Sequence, residues 1–208
     1  IGSPSEGFAF DNELGVQEMA LSGYRIDAAP VNWARDLEFI AAGGYEEPKL
    51  WSKDGWSWRK RASPGWPRYL ERAEDGSWWR SRFGERVPLD AALPAMHLNH
   101  HEAVAWCRWA GRRLPGEAEW EHAAVTAAER GEPFHWGQVW EWTASSFMPY
   151  PGFVAHPYRD YSTPWFDGRP VLRGASFATA PRMAHRRYRN YFTAERNDIF
   201  AGFRSCAA

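Results

Sequence analysis

The chain has 208 residues, enough for one domain with a sizeable apolar core and no need of disulfide staples. Its two cysteines, Cys107 and Cys206, argue against a disulfide framework and for a reducing, cytoplasmic setting. A formal net charge of −1 gives no electrostatic reason for nucleic acid or an anionic membrane as partner, and no apolar run is long enough to span a bilayer.

The sequence opens on Ile1 rather than Met, in IGSPSEGFAFDNE, and reads as a segment from within a longer protein. Residues Gly15–Asp27 alternate well enough for a strand pair. In VNWARDLEFIAAGGY, the apolar Val31, Trp33, Leu37, Phe39 and Ile40 fit one helix face roughly, with Gly43 and Gly44 as its stop. From Glu46 to Leu93 the chain is dense in Trp, Gly, Pro and charge. WSKDGWSWRKR, SPGWPRYL and DGSWWRSRFG read as loops with short strands or hairpins. No fixed repeat appears, which excludes a solenoid or propeller.

NHHEAVAWCRWAGRRLP is the clearest helix. Asn99 stands as N-cap and Glu102 at the capping-box position, while Ala103, Trp106, Cys107 and Ala110 share one face. A second helix follows in GEAEWEHAAVTAAERG, closed by Gly131. Beyond Phe134, VWEWTAS, PVLRGASFAT and AGFRSCA predict short strands among long aromatic loops. The 14 Trp, 8 Tyr and 12 Phe supply core area where regular structure is scarce, and such side chains also line ligand pockets. The expected class is α+β, coil-rich, with two main helices and short antiparallel strands.

Several of these pieces, in this order, resemble the formylglycine-generating-enzyme-like domain, a C-type-lectin-like fold. They are Trp109–Pro115 (WAGRRLP), Glu117–Glu121 (EAEWE), WGQVWEW with Gln138 in the usual Asn place, RGASF with Ala175 and Phe177 substituted, and the closing Gly202-Phe203-Arg204. The resemblance covers nearly the whole chain, residues 1–208. It does not extend to the copper chemistry of formylglycine-generating enzymes. Aligned on RRYRN, their two thiol positions fall at His185 and Asn190, and two thiolates are what a copper(I) ion requires.

PYPGFVAHPYRDYSTPWF and RRYRNYFTAERNDIFAGFR resemble instead the sulfoxide synthases of ergothioneine biosynthesis. FAFDNE, WGQVWEWTAS and ERNDIFAGFR resemble, more narrowly, the selenoneine synthases. That resemblance implies an iron(II)- and O2-dependent joining of selenium or sulfur to hercynine, a histidine betaine. The donor would be a selenosugar or a thiol. It implies iron ligands in an amino-terminal helical-bundle domain outside this chain, and no metal site among the chain's own residues. Tyr158, the first tyrosine of the Tyr-x-x-Tyr pair with Tyr161, would be the catalytic proton donor. Asn190 and the aromatic Tyr191 would meet the betaine, whose cation favours an aromatic face. Phe192 stands where some sulfoxide synthases carry an acid for gamma-glutamylcysteine, which favours cysteine or a sugar-type donor. Arg189 and Arg196 would hold an anionic group, Arg196 alternatively pairing with Glu195 or Asp198. Glu141 would be the carboxylate of a structural calcium site.

Other readings of the residues stand beside these. HLNHHE straddles a loop and a helix start and suits capping and packing better than a metal. Tyr158 and Tyr191 also suit simple loop anchoring and packing. The whole chain is compatible with a non-catalytic lectin-like binding module or a structural domain supporting a partner.

Overall fold

The computed structural model describes residues 1–208. Four helices, α1 (Trp33–Ala41), α2 (Lys53–Ala62), α3 (His100–Trp109) and α4 (Glu117–Arg130), account for most of the regular structure. The strands are β1 (Leu70–Arg72), β2 (Trp78–Arg82), β3 (Glu85–Pro88), β4 (Arg112–Arg113), β5 (Trp140–Ser146), β6 (Pro170–Gly174), β7 (Asn190–Tyr191), β8 (Ala201–Phe203) and β9 (Cys206–Ala207). They form an antiparallel β1-β2-β3 meander, a β4-β9 pair, and a central sheet of order β7-β6-β5-β8. The α+β, coil-rich expectation holds, α3 and α4 are the two main predicted helices, and α1 is the helix expected before Gly43. One strand pair departs from the antiparallel expectation: β5 and β8 run parallel, with Trp140 opposite Ala201 and Trp142 opposite Phe203.

Local chemistry explains the two main helices. Asn99 Oδ1 accepts from the Glu102 amide at 2.9 Å and Glu102 Oε2 accepts from the Asn99 amide at 2.8 Å, the reciprocal cap read from the sequence. Gly131 ends α4 in the left-handed conformation at φ +66. The buried face of α3 carries Ala103, Trp106 and Cys107, packed with Phe203 and Trp142 in the main core. Gly202 is required where β8 passes beneath the loop before α3, because a Cβ there would collide with the Ala95 carbonyl.

Two expectations are corrected. Lys53–Ala62, read as loop, is helix α2. Gly55, Ser57, Trp56 and Trp58 are weak helix formers. What holds the segment is the Ser52 cap on the Gly55 amide, 3.0 Å, and the burial of Trp58 beside Trp51. Residues Gly15–Asp27 do not form a strand pair. One isolated bridge, Ile26 to Cys206, touches this stretch, and Val16, Met19 and Leu21 lie exposed, so the alternation has no sheet to pack on.

Candidate functional site

Buried ion pairs build the wall of the site, and they explain why motifs distant in sequence belong together. Each glutamate of EAEWE has its own partner. Glu117 receives Arg189 at 2.9 and 3.1 Å, Glu119 receives Arg113 at 2.7 Å, and Glu121 receives Arg173. Arg204, from GFR, pairs with Glu141 of WGQVWEW, whose Oε2 also accepts from Trp120 Nε1 at 2.8 Å. Arg173, Arg189 and Arg204 are at most 1% exposed. Charges this far from water persist only when paired and hydrogen-bonded, so these contacts fix α4, β5, β6, β8 and the start of β7 relative to one another.

The single turn Asp11–Glu13, in FAFDNE, sits wholly inside this frame. Asp11 accepts from the Ser162 hydroxyl through one oxygen and from the His156 amide through the other, at 3.1 Å. Asn12 donates to Ser162 at 3.0 Å, and its carbonyl accepts from Arg189 at 2.8 Å. One buried turn thus ties the loop bearing Tyr158 and Tyr161 to the strand bearing Asn190 and Tyr191. The sequence carried a signal for this role, three consecutive polar residues after two phenylalanines, but polarity alone reads as a surface turn. Glu13 meets His185 at 3.4 Å. Burial pushes Glu13 up to about 8, and burial beside Arg173 and Arg187 pulls His185 below its usual value. At neutral pH the contact is therefore between a carboxylic acid and a neutral imidazole, not an ion pair.

The predicted tyrosines come together on this frame. The Tyr161 ring stacks on Phe10 at 3.9 Å, and its hydroxyl shares a 2.6 Å hydrogen bond with Tyr188. Tyr191 stacks on Phe147 at 4.0 Å, meets Tyr161 edge-on at 6.2 Å and donates its hydroxyl to the Tyr161 carbonyl. Burial raises the pKa of all three phenols, that of Tyr188 to about 12. Tyr188 was not singled out in the sequence; its place between His185 and Arg189 hid it among basic residues. Tyr158 differs: it is 67% exposed and is tied to Tyr161 through its backbone, its carbonyl accepting from the Tyr161 amide at 3.3 Å. Asn190 Oδ1 accepts from the Tyr191 amide at 2.9 Å, which orients the carboxamide and leaves its nitrogen end for another partner.

The remaining predicted residues divide. Arg189 makes five hydrogen bonds, to Glu117, Asn12 and Met148, and has no donor left for an anionic substrate group. It is a strut behind the site, and the reading of it as an anion clamp is corrected. Arg196 pairs with Asp198 at 2.6 Å at the surface and lies 4.9 Å over the ring of Phe192, which is half-buried against the core beside β7.

The donors for a metal ion are not gathered here. No three His, Cys, Asp or Glu side chains converge on a point, so these residues do not fit an iron site by themselves. His100 is hydrogen-bonded to the Thr143 carbonyl at 3.1 Å, and burial pulls its pKa to about 4. Burial raises both thiols, Cys206 to about 11, so neither offers a ready thiolate. Glu141 is corrected as a calcium ligand: both its oxygens are occupied by Arg204, one also by Trp120, and a cation there would face a buried guanidinium.

Residues 2–138 and 135–208 match the sulfatase-modifying factor enzyme 1-like domain, and the chain belongs to that family. It is 34% identical to a hercynine oxygenase of Mycolicibacterium smegmatis, in an alignment that takes in 98% of this chain and 57% of that protein. It is 33% identical to a hercynine oxygenase of Mycolicibacterium thermoresistibile, over 96% of this chain and 54% of that protein. A formylglycine-generating enzyme of Thermomonospora curvata is 30% identical over 65% of this chain and 48% of its own length. The chain thus spans little more than half the length of the hercynine oxygenases it matches. No helix is long and apolar enough to cross a membrane.

Proposed function

We propose that the protein joins selenium or sulfur to hercynine in an iron(II)- and O2-dependent oxidation, with this domain forming one wall of the substrate pocket. The observation that carries the reading is the tyrosine cluster. Asn190 is oriented beside Tyr191, Tyr161 is hydrogen-bonded to both Tyr191 and Tyr188, and the exposed Tyr158 stands three residues before Tyr161. The likeness to hercynine oxygenases along almost all of this chain supports it. Iron, held by a helical-bundle domain outside these residues, would supply the activation of oxygen. The reaction balances as hercynine C–H plus donor S–H or Se–H plus O2, giving the new carbon–chalcogen bond, one oxygen on the chalcogen and one water.

In this reading the free face of Tyr191, opposite Phe147, receives the trimethylammonium group. The nitrogen of the Asn190 carboxamide donates to the betaine carboxylate, directly or through water. Tyr158, whose ring is not locked by the cluster, donates the proton that steers the oxidation to bond formation. Arg196 and Phe192 lie where the donor enters. An aromatic ring in place of an acid at 192 leaves the amino group of gamma-glutamylcysteine without a partner and so favours cysteine or a sugar-type donor, and the likeness of FAFDNE, WGQVWEWTAS and ERNDIFAGFR to selenoneine synthases favours the selenosugar.

The test is a turnover contest. The protein, loaded with iron(II), is given hercynine, O2 and an equal mixture of the three donors, and products are read by mass. The expected result is a hercynine adduct that needs iron and O2 and contains selenium. A sulfur adduct alone would move the assignment to the ergothioneine branch. No consumption of hercynine by iron-loaded protein would leave a non-catalytic binding module.

A further inference from the structure

A second feature lies away from the tyrosine cluster. A cavity of about 490 Å³ opens between the β1–β3 meander, the loop before α3 and the turns at Gln138, Phe177 and Phe200. None of Tyr158, Tyr161, Asn190 and Tyr191 lines it. Its size is that of a small-molecule site.

Its charge is one-sided. Arg80 and Arg82 are two residues apart on β2 and so project from one face, and Arg68 joins them from the turn before β1. Arg68 touches only the side chain of Asn197, at 3.3 Å, and the ring of Tyr69. The Arg80 Nε is buried and has no hydrogen-bond partner. Burial and the neighbouring Arg82 both disfavour the Arg80 charge, against a weaker pull from Asp90, whose carboxylate accepts from the Ala92 amide. Asp198, the one acid on the wall, is already paired with Arg196. An unpaired guanidinium half out of water is costly, and this cavity gathers three arginines without a carboxylate partner.

Three phenylalanines complete the lining. Phe83 meets Phe177 and Phe200 edge to face and these two pack tilted, with centroids 4.7 to 6.3 Å apart, yet Phe83 is 74% and Phe177 52% exposed. The backbone is strained at the same place. Four non-glycine residues have positive φ, and three of them, Tyr69 (+67), Phe83 (+50) and His97 (+64), line this cavity. Bulky residues adopt that conformation only when the surroundings impose it, and such outliers concentrate at functional sites. Two departures from the family pattern, Gln138 and Phe177, also fall on its wall.

We propose that this cavity is a second ligand site, separate from the hercynine pocket, for a small organic anion with a flat apolar body and a phosphate or carboxylate head. The head lies between Arg80 and Arg82, and the body rests on the Phe83–Phe177–Phe200 wall. The requirement for both parts follows from the two walls: the arginines alone would take any small anion, and the rings alone any apolar solute.

Calorimetric titration of the protein with phenyl phosphate, benzoate, inorganic phosphate and phenol tests this. Phenyl phosphate or benzoate should saturate one site, their ratio identifying the head group, with inorganic phosphate and phenol each at least about tenfold weaker. Arg80→Met and Arg82→Met should each weaken the tighter ligand about tenfold, the order expected for losing a charge-assisted hydrogen bond. Arg72→Met should not, because Arg72 is on the same meander but lies over Trp78, outside the cavity. Melting curves separate loss of the site from loss of the fold, and Arg82, being exposed, keeps a second variant in hand if Arg80→Met unfolds. Equal affinity for inorganic phosphate, equal affinity for phenol, no saturable binding, or unchanged affinity in both arginine variants would each overturn the proposal. Hercynine turnover is a separate readout, so failure here leaves the proposed reaction untouched.

Discussion

Arginine does opposite work in two regions of this molecule. Beneath the tyrosine cluster, Arg173, Arg189 and Arg204 are fully buried, and each meets a carboxylate and one or more carbonyl groups. Around the meander cavity, Arg68, Arg80 and Arg82 form no salt bridge, and the nearby Asp90 and Asp198 are engaged by the Ala92 amide and by Arg196. A guanidinium held by a carboxylate is part of the scaffold, even where, as at Arg173, its Nε has no partner, and one without a carboxylate beside an open volume is available to a ligand. The same residue type in a sequence motif therefore says nothing about role until its partners are known. Arg189 shows the point: it directly precedes Asn190 and belongs to the scaffold.

The contrast is tested most severely at the scaffold. Arg204→Met leaves the Glu141 carboxylate buried with Trp120 as its only remaining side-chain partner, and should cost about 3–5 kcal/mol in urea unfolding. Ser162→Ala removes the hydroxyl that ties the Asp11–Glu13 turn to the tyrosine loop and leaves only the His156 amide on Asp11. It should cost about 1–3 kcal/mol and raise the KM for hercynine while Arg196→Gln does not. Arg196→Gln removes an exposed pair and should change stability by less than about 1 kcal/mol, with any kinetic effect confined to the donor KM.

The buried carboxyls add a pH signature. The folded-state pKa of Glu13, about 8, and that of Glu102, about 7, lie above their unfolded values. The native state therefore holds protons that the unfolded state releases, and the stability they provide is full below the unfolded pKa and lost as pH rises through 7 and 8. His97 and His100, both pulled to about 4, act with the other sign: the unfolded state binds the extra protons, and stability is lost as pH falls below 6.5. Above 6.5 the histidines no longer contribute. The melting temperature should fall between pH 6.5 and 8, and Glu13→Gln should flatten the profile from its unfolded pKa of 4.5 up to about 8, leaving the histidine-driven loss at lower pH.

Much of the fold was legible because local rules and tertiary demands agree there. The Asn99–Glu102 cap, the α3 face and the strands at Trp140, Pro170 and Ala201 all follow from spacing and capping chemistry. Helix α2 was not legible because tryptophan burial, a tertiary effect, overrides a composition that favours a loop. The Gly15–Asp27 alternation misled for the converse reason: a period of two means a strand only where a sheet stands beside it. In the site, the tyrosines and Asn190 could be named from motif resemblance. Tyr188, the inward-facing Asp11–Glu13 turn and the structural use of Arg189 depend on contacts between residues 27 to 177 positions apart, which no local pattern reports. The meander cavity left a trace only in two departures, Gln138 and Phe177, whose shared location is a matter of the fold.

The most direct test of the division between scaffold and working edge is Tyr158→Phe in iron-loaded protein, read as the fraction of consumed hercynine that becomes carbon–selenium or carbon–sulfur product. Tyr158 is exposed, so stability should change by no more than about 0.5 kcal/mol. Bond formation should fall by about a hundredfold or more relative to other oxidation of the substrates, the scale of a lost general acid. A variant that melts like the parent and still forms the bond at the parental rate would contradict the assignment of this edge as the place where the chemistry is steered.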